Sequence, residues 1–143
     1  MKRLGYLLLL TVLGCCTVKK DIEISPTVDE NQTRAVLRHH MDAFLANDLD
    51  AIMSDYTEES VLITPDSTFK GLEAIRQNFA NAFTIFPKDS SSMTLRKSVV
   101  KQDVAYVIWE AKTPTFSLPF GTDTFIIQNG KIVRQTFAAA PGN

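Results

Sequence analysis

The chain carries few side chains able to move a proton near neutral pH, and they fall in two places. Its only imidazoles are the tandem His39-His40. They lie in a segment of helical periodicity, where one ring of such a pair turns inward and the other outward. The inward ring, His40, is either a proton carrier or a core histidine with a partner. In the run Gly121-Thr122-Asp123-Thr124-Phe125-Ile126-Ile127, strand alternation sets Gly121, Asp123, Phe125 and Ile127 on one face, the interior one. A carboxylate there is costly without a partner. Burial among Trp109, Phe125 and Phe137 would raise the pKa of Asp123 and suit it to acid–base work, with His40 facing it across a pocket as its proton partner. The alternative is an aspartate that only hydrogen-bonds a loop or a helix side chain. The two cysteines, Cys15 and Cys16, are adjacent and too constrained for an ordinary disulfide. With no other cysteine, the usual structural zinc spacing is excluded, and no metal or cofactor is expected.

Two helices, a hairpin and a third helix must position His40. From Asp29 the residues Ala35, Leu37, His40, Met41, Phe44 and Leu45 recur near the helical period. Asn47-Asp48 breaks the helix, and Asp48 can cap a second one over Leu49–Tyr56. Ser60–Thr64, the turn Pro65-Asp66-Ser67 and Thr68–Lys70 read as a short hairpin. Gly71 opens a third helix, Leu72–Phe86, with Ile75, Phe79, Ala82 and Phe83 on one face and Pro87 as its stop. Four β-rich runs follow, Ser91–Lys101, Val104–Thr113, Thr115–Gln128 and Lys131–Ala139, the last two joined by an Asn129-Gly130 turn. Helices first and antiparallel strands afterwards predict an α+β fold, three helices in the concave face of a curved, mostly antiparallel sheet with a pocket at its mouth. Pocket walls are expected from Phe44, Tyr56, Thr64, Phe79, Trp109, Phe116, Phe125 and Phe137, aromatics that a cone of this kind also needs merely to fold.

The first residues read as an address. Met1-Lys2-Arg3 is basic, Leu4–Leu13 is apolar and Gly14 is small, the order of an export signal. The apolar run is too short for a permanent membrane span. Val12-Leu13-Gly14-Cys15 resembles the lipobox of bacterial lipoproteins, which implies cleavage before Cys15 and its lipidation. The expected organisation is a signal peptide over 1–14, a lipidated N-terminus and tether over 15–28, and one domain over 29–140. That places the chain in the cell envelope, held to a membrane by its lipid alone. Cys16 receives no role. Fifteen Lys and Arg against sixteen Asp and Glu leave no field of one sign, so nucleic acid is not an expected partner.

Three stretches carry a family resemblance: Asn47-Asp48-Leu49-Asp50-Ala51-Ile52-Met53-Ser54-Asp55-Tyr56, then Ser60–Pro65 with Lys70–Ile75, then Gly121-Thr122-Asp123-Thr124-Phe125 with Asn129-Gly130-Lys131-Ile132-Val133. In this order and spacing the chain from Asn31 to Ala139 resembles the SnoaL-like and ketosteroid-isomerase-like branch of the nuclear transport factor 2-like superfamily. In the isomerases of that branch a helix tyrosine, an aspartate before the hairpin proline and a late-strand aspartate carry the chemistry. The resemblance puts His40 at the tyrosine position and Thr64 at the first aspartate position, and retains only the last, as Asp123. A threonine hydroxyl is no competent base at neutral pH, which argues against ketosteroid isomerisation. The late-strand aspartate also matches the acid–base residue of the SnoaL-like polyketide cyclases, although export argues against a pathway that runs on cytoplasmic carriers.

Three functions follow as expectations. The first is an exported module that binds a small apolar or amphipathic molecule. The second is an isomerase-, cyclase- or dehydratase-type enzyme using Asp123 with His40. The third is a protein-interaction domain, since the resemblance implies a homodimer. Fold does not choose among them.

Overall fold

Asp29 opens the folded part because its side chain accepts the Asn31 N–H at 2.9 Å and so satisfies a free donor of the first turn. The computed structural model describes residues 28–140. Helix α1 (Glu30–Ala46) ends at Asn47, which takes a left-handed φ of 51°. Asn47 also binds the far end of the helical layer, donating to Phe86 O at 3.2 Å and accepting from Lys88 N at 2.7 Å. Asp48 caps α2 (Leu49–Met53) through the Ala51 N–H, as the sequence suggests. That helix stops three residues short of the expected Tyr56. Ser54 folds its hydroxyl onto Ala51 O, and the Asp55 carbonyl is taken by Ile132 N at 2.8 Å, so Asp55 and Tyr56 turn into the core instead.

The hairpin β1 (Val61–Ile63) and β2 (Thr68–Lys70) leads into α3 (Gly71–Ile85). Gly71 there has a φ of +80° while its N–H bonds Ser60 O, a conformation that suits glycine. Strands β3 (Ser92–Lys101), β4 (Val104–Lys112), β5 (Ser117–Gln128) and β6 (Lys131–Ala140) complete a six-stranded sheet of order β2-β1-β6-β5-β4-β3. All neighbours are antiparallel except β1 and β6, which run parallel with Leu62 opposite Gln135. Register shifts at Leu95/Lys97, Trp109/Ala111 and Ile126/Ile127 are bulges, the devices that bend a sheet around its contents.

This is the expected α+β architecture, helices against a curved and open sheet. The face of α1 differs from the expected one in detail. Thr33, Leu37, His40 and Ala43 are buried, whereas Ala35 and Leu45 are exposed, because spacings of three and four carry the stripe through Leu37 and His40 rather than through their neighbours. Among the described residues no helix is long and apolar enough to cross a membrane. The segments expected to be a signal peptide and a tether, with Cys15 as the expected lipidation site, lie outside the described residues, apart from Val28.

Candidate functional site

Strand pairing assembles the floor of the site. Val107, Asp123 and Phe137 stand side by side on β4, β5 and β6, and one step along Trp109 faces Gly121. Because Gly121 has no side chain, the Trp109 indole lies directly over it. A Cβ at that position would come within 2.4 Å of the indole ring. The close approach aims Trp109 Nε1 at Asp123 Oδ2, to which it donates at 2.8 Å. Gln135 Nε2 donates to the other carboxyl oxygen, Oδ1, also at 2.8 Å. The Tyr56 hydroxyl in turn donates to Gln135 Oε1, fixing which way the amide points. The result is a directed chain, Tyr56 to Gln135 to Asp123, closed from the other side by Trp109.

Burial pushes the Asp123 carboxyl above the ordinary range; the two donors and nearby His40 pull it partly back. Tyr56 is held well above the usual phenol range by burial and by the charges of Asp123 and Asp55, so it remains a neutral donor. Asp123 therefore combines raised basicity with fixed orientation, the two attributes a buried acid–base group needs.

A cavity of ≈ 230 Å³ opens above this floor. Asp123 and His40 both line it, with Phe44, Thr64, Phe79, Trp109, Phe125 and Phe137. Trp109 and Phe137 stack at 6.1 Å with their planes 17° apart, forming a flat wall. His40 is wedged edge-on among Tyr56, Phe79 and Phe125, with ring centres 5.1 to 5.7 Å away. Its neighbour His39 points outward, as the helix dictates, with Nδ1 2.8 Å from Asp55 Oδ1.

Two of the expected wall residues lie elsewhere. Tyr56 is buried behind the wall and acts through Gln135. Phe116 sits in the β4–β5 turn, where Thr113 N–H bonds its carbonyl at 2.9 Å. It is 37 % exposed and stands edge-on to Phe86 rather than in the cavity. The expected strand began at Thr115, but β5 starts at Ser117, so Phe116 never joins the inward alternation. Thr64 lies on the wall with its hydroxyl donated to Ser67 O at 3.2 Å, a turn bond and not the place of a base. Gln135, Asn78, Asn81, Phe86, Met41 and Met93 also line the cavity without having been anticipated. Gln135 had a signal, since it shares the strand face of Phe137 two residues away and is polar where that face is buried. Among the described residues no group of three or more His, Cys, Asp or Glu side chains is arranged to hold a metal ion.

A sequence model described as a SnoaL-like domain matches residues 37–135. No curated protein matches the sequence. Solved structures do. A nuclear transport factor 2-like protein of unknown function from Mesorhizobium loti is 23 % identical with a TM-score of 0.69, over 81 % of this chain and 97 % of that one. A candidate ketosteroid isomerase from Kribbella flavida is 17 % identical with a TM-score of 0.69, over 81 % and 83 % of the two chains. A candidate polyketide cyclase from Sinorhizobium meliloti is 21 % identical with a TM-score of 0.63, over 77 % and 99 %. At these identities the likeness is one of fold.

Proposed function

The chain belongs to the SnoaL-like domain family, and from that premise we propose that its cavity receives one small, flat, largely apolar molecule whose polar end meets Asp123. The observation that carries this reading is the clamped carboxyl of Asp123 at the floor of an aromatic-walled space. A core position with no task is served as well by an apolar residue, and burying a carboxylate costs several kcal/mol before its partners offset it. Here Trp109, Gln135 and, through the latter, Tyr56 are all committed to holding it. The volume lies below the range of about 300–1,000 Å³ common for drug-sized ligands, which suits a single ring or a short chain.

Native mass spectrometry of the full chain purified from its own host tests the reading. A retained small molecule that is lost in Asp123→Asn supports it; an occupant bound equally well by that variant removes Asp123 from recognition.

An acid–base enzyme of the isomerase, cyclase or dehydratase kind is the second reading. It is favoured by the raised pKa of Asp123 and by His40 lining the same cavity. Turnover of the retained molecule that disappears in Asp123→Asn while binding survives would select it over binding alone.

Export with lipidation at Cys15, and so a place in the cell envelope, rests on the order of residues 1–16; incorporation of labelled fatty acid tests it. A second copy of this chain is the proposed partner of the outer sheet face, which leaves Val99, Val104 and Phe120 more than a third exposed. Sedimentation of the full chain decides that point.

A further inference from the structure

His40 and Asp55 meet in an unusual way. His40 Nδ1 lies 3.4 Å from Asp55 Oδ2, without the alignment of a hydrogen bond. Both atoms are buried and neither has another partner. The side chains are 4 % and 7 % exposed, so both groups are withdrawn from bulk solvent. Leaving two complementary polar atoms unpaired in the core is costly, of the order of 1–3 kcal/mol each, and native proteins rarely tolerate it without a use. The other Asp55 oxygen is taken by His39 at 2.8 Å, and the Asp55 carbonyl is tied to Ile132, so the carboxylate is fixed from two sides while Oδ2 stays directed at His40.

We propose that Asp55 is the positioning residue of His40, that their contact closes when the cavity fills, and that the cavity's ligand is a small ring compound carrying hydroxyl groups. This rests on the cavity being a ligand site. A carboxylate facing Nδ1 holds the ring proton there, and Nε2 of this cavity-lining ring then carries a lone pair. Asp123 likewise presents carboxylate lone pairs beyond the two its donors occupy. Two acceptors lining one aromatic-walled cavity select a ligand with two donors, which hydroxyls on a flat ring supply. A hydroxyl donating to Nε2 makes Nδ1–H a stronger donor and draws the 3.4 Å contact into a true hydrogen bond, as hydrogen bonds in active sites tighten on ligation.

The test uses the full chain labelled with nitrogen-15, and catechol and resorcinol as probes against their dimethyl ethers. Long-range proton–nitrogen spectra report the His40 tautomer, and the indole N–H of Trp109, the single tryptophan, reports binding. The expected result is a proton on Nδ1 of His40, binding of the diols at least tenfold tighter than of the ethers, and loss of that preference in Asp55→Asn. The asparagine keeps an oxygen for His39 and turns an N–H₂ toward His40, which moves the ring proton to Nε2 and removes the lone pair. His39→Gln should leave the His40 tautomer unchanged. A His40 proton on Nε2 in the unaltered protein, or an unchanged tautomer in Asp55→Asn, overturns the positioning role. Should Asp55→Asn not fold, the tautomer of the unaltered protein decides alone. Equal binding of diols and ethers overturns the ligand class. Binding of none of the probes overturns the ligand class too, and counts against the cavity as a ligand site, while the tautomer still judges Asp55 separately.

Discussion

Asp123 and Asp55 are both buried carboxylates near the same histidine, 8 % and 5 % exposed, yet their surroundings are built differently. Asp123 stands on the sheet, each oxygen met by an aligned N–H from a neighbouring strand or its own pairing partner strand. Asp55 stands in the loop after α2, one oxygen bonded to half-exposed His39 and the other facing His40 without a bond. A fully satisfied buried network stiffens its surroundings, whereas an unpaired buried polar group is costly. On the proposed reading the sheet side serves as a fixed floor, and the helix side as the part that adjusts to the ligand.

The largest test of that contrast strikes the floor's steric basis. Gly121→Ala puts a methyl within 2.4 Å of the Trp109 indole, whose ring is also stacked with Phe137. The indole must tilt, and its bond to Asp123 goes with it. Overpacking and the loss of a bond to a charged group together should cost about 3 kcal/mol or more in urea unfolding. A cost below about 1 kcal/mol would show the floor to be as pliable as the helix side. A smaller effect is expected of Gln135→Met, which keeps the volume but strips Asp123 Oδ1 of its donor and the Tyr56 hydroxyl of its acceptor. Stability should fall by about 2 kcal/mol. Carbon-13 titration of the Asp123 carboxyl should move further upward, because one of the groups favouring its charged form is gone.

The same contrast marks how far the sequence could be read. Strict alternation on β5 made Asp123 legible, because period-two patterning needs only local sequence and a buried partner strand. The histidine pair was legible for the equivalent helical reason, and His40 is inward as expected. The Asp55–His40 contact was not. It depends on α2 ending at Met53, which Ile132 of a distant strand enforces by capturing the Asp55 carbonyl. Phe116 was misplaced for a related reason, since a Thr113-centred turn removes it from the strand alternation that would have aimed it inward. Gln135 lay in between, with its face readable and its partner Tyr56, 79 positions away in sequence, beyond local patterning.

The smallest expected effect is the pH dependence that Asp123 itself contributes, because Trp109 and Gln135 offset part of the burial that raises its pKa. With the folded pKa above the unfolded one, the native state binds more protons than the unfolded chain between the two values. Stability from this group is therefore complete below the ordinary aspartate range and declines as pH rises through the raised folded pKa, after which it is flat. In Asp123→Asn the group no longer titrates, so the difference in unfolding free energy between the unaltered protein and the variant should drift against the unaltered protein over that window. Urea unfolding at a series of pH values from about 4 upward reads the drift. The opposite slope would mean that the donors of the sheet outweigh burial and hold Asp123 below the ordinary range. Asp123 would then be a fixed anion, a clamp for a cation or a hydroxyl, and the acid–base reading would pass to His40 on the adjustable side.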